Sequence, residues 1–375
     1  MKIALVHDQL QEFGGAERVL VALHKIYPKA DVFTSFYNPA SLGIHKNEFK
    51  DWNIITSWAD KAPFIKKLYS PFRFITPWIW ESFDLSQYDL VISSSGAYMS
   101  KGIITKPNTV HICYLHHQPR YLYYYETARE WQRYFPVKIY GHLINHDLRI
   151  WDYISSQRVN YFIANSEETK RRIEKFYRRE SVVIYPPVNI PQTMTTQVRP
   201  HSSSNHNYYI TVSRLARAKH IEILLNAANK MKFNLKIIGS GRDEHYLKSI
   251  AGETVEFLGN ISDDTLSMLY QNARAFLFAS VDEEFGIAPI EAMGHGLPVI
   301  AYASGGLKET VKEGINGYLF DKFDEDSLIG KINELTDLTE GKYEEMKKNA
   351  RLEAEKYSFG NFKRNIINFV ENVKN

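Results

Sequence analysis

Cysteine is almost absent from this chain of 375 residues, where Cys113 stands alone. One thiol excludes an internal disulfide and a cysteine-rich metal site, and it fits a reducing compartment. Its apolar setting, Val110-His111-Ile112-Cys113-Tyr114, reads as a buried structural thiol, not a nucleophile. Long hydrophobic runs are missing too. No stretch approaches the ~18 apolar residues of a membrane span. Met1 to Asp8 leads directly into a strand pattern, without the apolar core and cleavage site of a signal peptide. A cytoplasmic protein is the expectation. Nor is there an excess of one charge: 46 Lys and Arg against 43 Asp and Glu leave +3, too little to imply nucleic-acid binding. With no HxxxH helix read in the chain and no Cys pair, a zinc site is not expected. No Gly-Lys-Ser/Thr follows Gly14-Gly15, and no GxGxxG is formed there, which removes a Walker loop and weakens a nicotinamide reading. Asp263-Asp264 reads as the acidic first turn behind a Ser262 cap. No other acidic cluster would hold Mg²⁺ against a diphosphate, so a metal-independent protein with no cofactor is expected.

What the chain does contain is alternation. Short apolar strand patterns fall at 2–7, 31–36, 89–93, 109–114, 161–164 and 182–184, with helical patterns at 16–26, 146–159 and 167–177. Pro186-Pro187 stops the series, and residues 191–207 are polar and turn-rich, as an interdomain linker would be. The alternation then restarts, with strands at 208–212, 235–238, 255–258, 275–279, 299–301 and 317–320. Helices are expected at 221–231, 244–250, 262–271 and 307–312, from 325 onward, and through the tail from about 340. Strand–helix alternation of this kind implies mainly parallel sheets. The length argues for two domains. The expectation is therefore an α/β protein of two doubly wound, Rossmann-like lobes with a crevice between them. One lobe covers 1–190 and the other 208–357.

Glu283-Glu284-Phe285-Gly286-Ile287-Ala288-Pro289-Ile290-Glu291 is the most informative stretch. It follows one strand pattern, enters a helix through Pro289 and is succeeded by another strand, so it reads as a βαβ unit. Ligands of such sheets bind outside the carboxyl ends of the strands. Glu283 is expected there, with Glu291 about two turns up the helix. Two carboxylates can accept several hydroxyl hydrogen bonds from one polyhydroxyl ligand. Arg214 and Lys219 follow the strand at 208–212, where two cations and a helix N-terminus suit a diphosphate. Gly239-Ser240-Gly241 and Ser304-Gly305-Gly306 also stand between a strand and a helix. Each reads alone as a plain turn; together with the cation loops they read as a nucleoside-diphosphate pocket. In the first lobe, Gly14-Gly15 reads equally as a tight turn or as a close backbone approach to a ligand. His116 follows a strand end, with His7 and His146 as weaker candidates.

These motifs resemble glycosyltransferase family 4, whose members are retaining enzymes with two Rossmann-like lobes, the GT-B fold. The resemblance runs nearly end to end and rests on Gly14-Gly15-Ala16-Glu17, Arg214 with Lys219, the Glu283 to Glu291 segment, and Gly305-Gly306 with Glu309. The narrower likeness is to GDP-mannose-dependent mannosyltransferases of polysaccharide, O-antigen and lipopolysaccharide assembly. It is carried by residues 83–93, 111–116, 151–153, 162–166 and 183–188. The resemblance implies that Arg214 and Lys219 bind the donor diphosphate and stabilise the leaving group. Glu283 would hold the sugar hydroxyls and Glu291 the ribose. Gly286, Ile287 and Gly306 would offer backbone N–H groups, with Gly239 lining the donor pocket. Gly15 would approach from the first lobe, and His116 would face the reacting edge of the sugar. His117 and Gln118 depart from the family pattern at the next two positions, which leaves His116 and His117 both open for that role. The last helix, about 358–375, would cross back to brace the first lobe.

The reaction so implied is transfer of a sugar, with mannose from GDP-mannose expected, to a glycan or lipid-linked saccharide with retention at the anomeric carbon. Catalysis would be electrostatic stabilisation of the departing phosphate plus orientation. The alternatives are another donor, such as UDP-glucose, or a catalytically silent nucleotide-sugar-binding protein. Residues 61–80 mix bases with aromatics, as an interfacial segment on an anionic membrane would. The same residues read equally as ordinary packing of a helical excursion in the first lobe; weak peripheral contact at the inner face of the cytoplasmic membrane is the expectation.

Overall fold

The structure is a computed structural model, and it describes residues 1–127, 134–191 and 208–373. The chain divides into two compact units. The first comprises Met1–Tyr125, Glu130–Pro187 and Phe359–Asn375; the second comprises Val188–Ser358 with Glu126–Arg129. Almost all of the expected linker, from 192 on, lies outside the described residues.

The first unit holds a parallel sheet of seven strands: β1 (Ile3–His7), β2 (Asp31–Thr34), β3 (Ile54–Thr56), β4 (Leu90–Ser95), β5 (Val110–Leu115), β6 (Tyr161–Ala164) and β7 (Ser181–Val183). Their order is β3-β2-β1-β4-β5-β6-β7, so the direction of winding reverses between β1 and β4. Both faces are covered, which is why the strands read as nearly continuous apolar runs. Side chains alternate between faces with period two. Leu5, Leu90, Ile92, Ile112 and Tyr114 therefore share one face, beneath the helix Gly15–Ile26. Phe362, Ile366 and Val370 of the last helix, Phe359–Asn372, complete that core, so the C-terminal helix does cross back onto the first unit. Ala4, Val6 and Val91 face the other way, onto Trp80, Ile79 and Tyr98.

The second unit holds β8 (Tyr208–Val212), β9 (Asn234–Ile238), β10 (Val255–Gly259), β11 (Phe276–Phe278), β12 (Val299–Tyr302) and β13 (Gly317–Phe320). They pair in parallel in the order β10-β9-β8-β11-β12-β13, and the winding reverses between β8 and β11. The doubly wound α/β expectation holds for both units.

Several boundaries differ from the sequence reading. β3 is an additional three-residue edge strand. The helix expected at 146–159 starts eleven residues earlier and spans Phe135–Arg158. Pro136 is tolerated because it sits in the first turn, where no N–H is needed. The helix after β11 starts at Ile287, two residues before Pro289. Glu291, four residues past Ile287, stands about one turn into it, not two. The helical tail is broken into Glu340–Glu355 and Phe359–Asn372.

Candidate active site

In the second unit, four loops follow the carboxyl ends of four neighbouring strands, β9, β8, β11 and β12. Arg214 and Lys219 follow β8, and Glu283 follows β11, so they flank the reversal point where open α/β sheets leave a crevice. Lys219 lies in a tight turn, Arg217–Lys219, ahead of the helix Ile221–Met231. Its Nζ donates to Glu283 Oε2 at 2.6 Å. Both side chains are about four-fifths buried, with 19% and 18% exposure. The ammonium also stands 5.6 Å from the centre of the Phe278 ring. Ser280 Oγ lies 2.8 Å from the same Glu283 oxygen and 3.2 Å from the carbonyl of Ala218. Its single proton serves one of them at a time.

The backbone around Glu283 is fixed by the glycine turn after β12. Gly306 N–H donates to the carbonyl of Glu283 at 2.8 Å. Gly305 has φ +55°, and a Cβ there would meet that carbonyl at 2.1 Å; one at Gly306 would meet the carbonyl of Glu284 at 2.2 Å. No side chain fits at either position, so the two loops press backbone to backbone. Asp282 has φ +54°, and its N–H donates to Ser304 Oγ at 2.9 Å. A non-glycine residue in that region is locally strained, and the Ser304 bond holds it there. Gly286 caps the helix Ile287–Gly294, with Ile287 as its first residue and Glu291 half-buried one turn on. Residues 287 and 291 share a helix face. Gly239, with φ +120°, presses against the carbonyl of Ser213 in the same manner, beside the exposed Arg214.

His116 and Gly15 belong to the first unit, where a second polar cluster lies at the reversal point between β1 and β4. Gly15 opens the helix Gly15–Ile26 and is exposed. Glu17, in its first turn, accepts the Gly14 N–H through Oε2 at 2.8 Å. Glu17 Oε1 stands 3.3 Å from His7 Nε2. His7 Nδ1 stands 3.0 Å from Ser94 Oγ, which in turn stands 2.7 Å from His116 Nε2. Asn165 Nδ2 donates to the His116 carbonyl at 3.0 Å. On the opposite face of β1, the Asp8 carboxylate accepts three backbone N–H groups, from Gly96 at 3.0 Å, Tyr98 at 2.7 Å and Ser100 at 2.8 Å. That carboxylate shapes the loop after β4. His117 Nδ1 donates to the Gln118 carbonyl at 2.7 Å, whereas His116 is the histidine joined to the strand ends.

Two family descriptions match complementary parts of the chain. "Glycosyltransferase Family 4" matches residues 13–191 and "Glycosyl transferases group 1" matches residues 194–353. The chain belongs to the family 4 type of glycosyltransferases. An uncharacterized glycosyltransferase of Methanocaldococcus jannaschii is 35% identical over 42% of this chain and 43% of its own length. Kluyveromyces lactis alpha-1,3/1,6-mannosyltransferase ALG2 is 26% identical over 40% of this chain and 39% of its own. The chain spans about half the length of the first such relatives. Among solved structures, Anabaena HepE in complex with UDP superposes with a TM-score of 0.69 at 20% identity, covering 99% of this chain and 100% of that one. Sucrose-phosphate synthase of Thermosynechococcus elongatus gives 0.73 at 18% identity, over 100% and 99%. These likenesses show the GT-B fold.

Within that fold, the structure joins Lys219, Glu283 and Gly306 directly, and it places Gly239 with Arg214, and Gly286 with Ile287 and Glu291, on adjacent loops. It also brings forward residues that the sequence did not single out: Asp8, Ser94, Ser280 and Asp282. Each sits at a strand's carboxyl end, but only the strand order shows which ends are neighbours. His7, taken as a weaker candidate, links Glu17 to Ser94. The expected absence of an HxxxH helix is corrected: His142 and His146 stand four apart on the helix Phe135–Arg158, a spacing used by zinc ligands. Among the described residues no group of three or more His, Cys, Asp or Glu could hold a metal ion.

Proposed function

We propose that the chain transfers a sugar from a nucleoside-diphosphate donor held by the second unit. The observation that carries this is the Lys219–Glu283 pair at the reversal point, framed by the loops of Gly239, Gly286 and Gly306. A Lys ammonium has three protons, so Lys219 can keep Glu283 and still donate to a phosphate oxygen. With Arg214 it neutralises the leaving diphosphate, which is where negative charge grows as the glycosidic bond breaks. Glu283, with Ser280 behind it, accepts hydroxyl protons of the sugar, and Glu291 accepts those of the ribose. The backbone N–H groups at Gly286 and Ile287 meet the sugar or its phosphate. Retention follows if the acceptor hydroxyl attacks on the face the phosphate leaves. No metal is required for this, because the cations are side chains. His116 and Gly15 of the first unit serve the sugar's reacting edge and the acceptor, a glycan or lipid-linked saccharide.

GDP-mannose is the donor we favour, from the motifs at 83–93, 111–116 and 151–153 and from the likeness to a mannosyltransferase. A UDP-linked sugar is the second reading. It is favoured by relatives such as the Streptococcus pneumoniae UDP-N-acetylglucosamine–peptide N-acetylglucosaminyltransferase subunit, 25% identical over 64% of this chain. A thermal-shift panel of GDP, UDP, ADP and dTDP sugars separates them, since a ligand of the native state raises the melting temperature. A larger rise with UDP sugars than with GDP-mannose overturns the mannose assignment. No rise with any of them, together with no transfer, overturns the transferase reading.

Peripheral membrane contact belongs to the same proposal. Among the described residues no helix is long and apolar enough to cross a membrane. The first unit nevertheless exposes Phe64, Leu68, Phe74 and Trp78 around Lys67, and Phe135, Ile139 and Leu143 along one helix. Lys66 is tied to Asp60 at 2.8 Å and contributes less charge. Flotation with anionic liposomes at low salt tests this; protein that stays at the bottom of the gradient refutes it.

A further inference from the structure

His7, Ser94 and His116 are brought together by strand parity and register. β1 and β4 pair with His7 opposite Ser94, and β4 and β5 pair with Ser94 opposite Tyr114. Residue 116 is two positions past 114, so it returns to the same face. All three side chains, and Glu17 above them, are buried, at 1%, 1%, 7% and 7% exposure. The result is an unbroken chain of hydrogen-bond contacts from Gly14 N–H through Glu17, His7 and Ser94 to His116.

We infer that Glu17, acting through His7 and Ser94, fixes the ring tautomer of His116. The direction of each bond follows from counting protons. A carboxylate only accepts, so His7 Nε2 donates to Glu17. In a neutral His7 ring, Nδ1 is then an acceptor and takes the single proton of the Ser94 hydroxyl. Ser94 Oγ has only lone pairs left for His116, so His116 Nε2 must carry hydrogen. The neutral His116 ring therefore presents a lone pair at Nδ1. A ring set that way accepts a hydroxyl proton; the other tautomer would donate instead. Glu17, His7 and Ser94 are positioning residues, and the use made of His116 rests on the transferase reading above.

The isosteric change Glu17→Gln has a defined consequence. The Gly14 N–H only donates, so it pins the amide oxygen of the new side chain toward itself. The amide NH₂ then faces His7 and donates to Nε2. His7 must carry its proton on Nδ1, Ser94 turns its hydroxyl toward His116 Nε2, and the His116 proton moves to Nδ1. One amide in place of one carboxylate reverses the whole chain without removing a contact.

The test is a ¹⁵N spectrum of the histidine rings in the full chain at about pH 8, where imidazoles are ordinarily neutral. The His116 signals are identified by their loss in His116→Asn. The wild type should show a protonated Nε2 and a lone-pair Nδ1. Glu17→Gln should show the reverse. In a Ser94→Ala background Glu17→Gln should no longer change the His116 pattern. A wild-type His116 protonated at Nδ1 overturns the inference, and that reading needs no variant to fold. An unchanged tautomer in a folded Glu17→Gln also overturns it. Turnover is a separate readout: Glu17→Gln should lower kcat roughly tenfold or more, about what one misdirected hydrogen bond is worth. A reversed tautomer in a protein that turns over no nucleotide sugar keeps this inference and removes the transferase reading. Turnover with an unaltered tautomer does the opposite.

Discussion

The Lys219 ammonium and the Glu283 carboxylate stand 2.6 Å apart across the point where the second sheet reverses its winding. Each is the other's compensation for partial burial. Removing either leaves an opposite charge in a site that is four-fifths shielded from water. If Lys219 stabilises the leaving diphosphate, Lys219→Ala should lower kcat by roughly 10²- to 10³-fold, the usual loss for one charge-stabilising donor. Glu283→Gln should also lower it. Because the two side chains touch, the double variant should lose less than the product of the single losses. Steady-state kinetics on the three proteins decides this; multiplicative losses would mean the pair acts as two independent groups.

Gly305 and Gly306 are predicted to resist replacement, as are Gly239, Gly241 and Gly317, where an added Cβ would stand equally close to a carbonyl oxygen. An alanine methyl at Gly305 or Gly306 would stand 2.1 or 2.2 Å from a carbonyl oxygen of the Glu283–Glu284 loop. The backbone has to move, at a typical cost of about 1–3 kcal/mol. Gly305→Ala adds strain from its left-handed φ. Thermal denaturation should show a lower melting temperature for each variant. Gly341→Ala, where nothing lies near the added methyl, should show none of that loss.

Lys101 and Asp152 form an ion pair buried at 1% and 0% exposure, with the Tyr123 hydroxyl donating to the second Asp152 oxygen at 2.7 Å. Breaking such a pair leaves an uncompensated buried charge, so Asp152→Ala should destabilise the protein by about 3–5 kcal/mol. Replacing both partners with apolar residues of similar volume should recover most of that loss. Urea denaturation of the single and double variants measures the difference.

Acid should weaken the native state through buried rings. Burial, and then the charge of Arg351, push His295 down to about 4 from its usual 6.5. Burial first, then Arg158 and Lys101, push His111 down to about 3. Between those values and about 6.5 the unfolded chain takes up protons that the folded chain refuses. The stability these two rings contribute is therefore full above pH 6.5 and falls as pH drops through that window. His295→Gln should flatten part of the slope between pH 6.5 and 4 in denaturation midpoints. An unchanged slope would show that the ring titrates normally.

Most strands were legible because both sheet faces are covered, which makes each strand a short apolar run between turn residues. β6, β8 and β13 fall where the apolar pattern puts them. β3 escaped notice because three residues at a sheet edge carry little pattern. The helix Phe135–Arg158 was seen only in its second half: Phe135, Ile139 and Leu143 are exposed, so the first half shows no polar outer face, and Pro136 and Gly141 look like breakers. Arg214, Lys219, Glu283 and the glycine loops could be placed at strand ends from sequence. That Lys219 meets Glu283 could not, because strand order decides which loops are neighbours. The Glu17–His7–Ser94–His116 chain needed register as well, since a one-residue slip would turn Ser94 to the other face.

A crystal structure with a bound nucleoside-diphosphate sugar tests the donor site most directly. The diphosphate should lie within hydrogen-bond distance of Lys219 and Arg214, with the sugar hydroxyls on Glu283 and the ribose on Glu291. A ligand seated elsewhere on the chain, with no contact to Lys219 or Glu283, would contradict it.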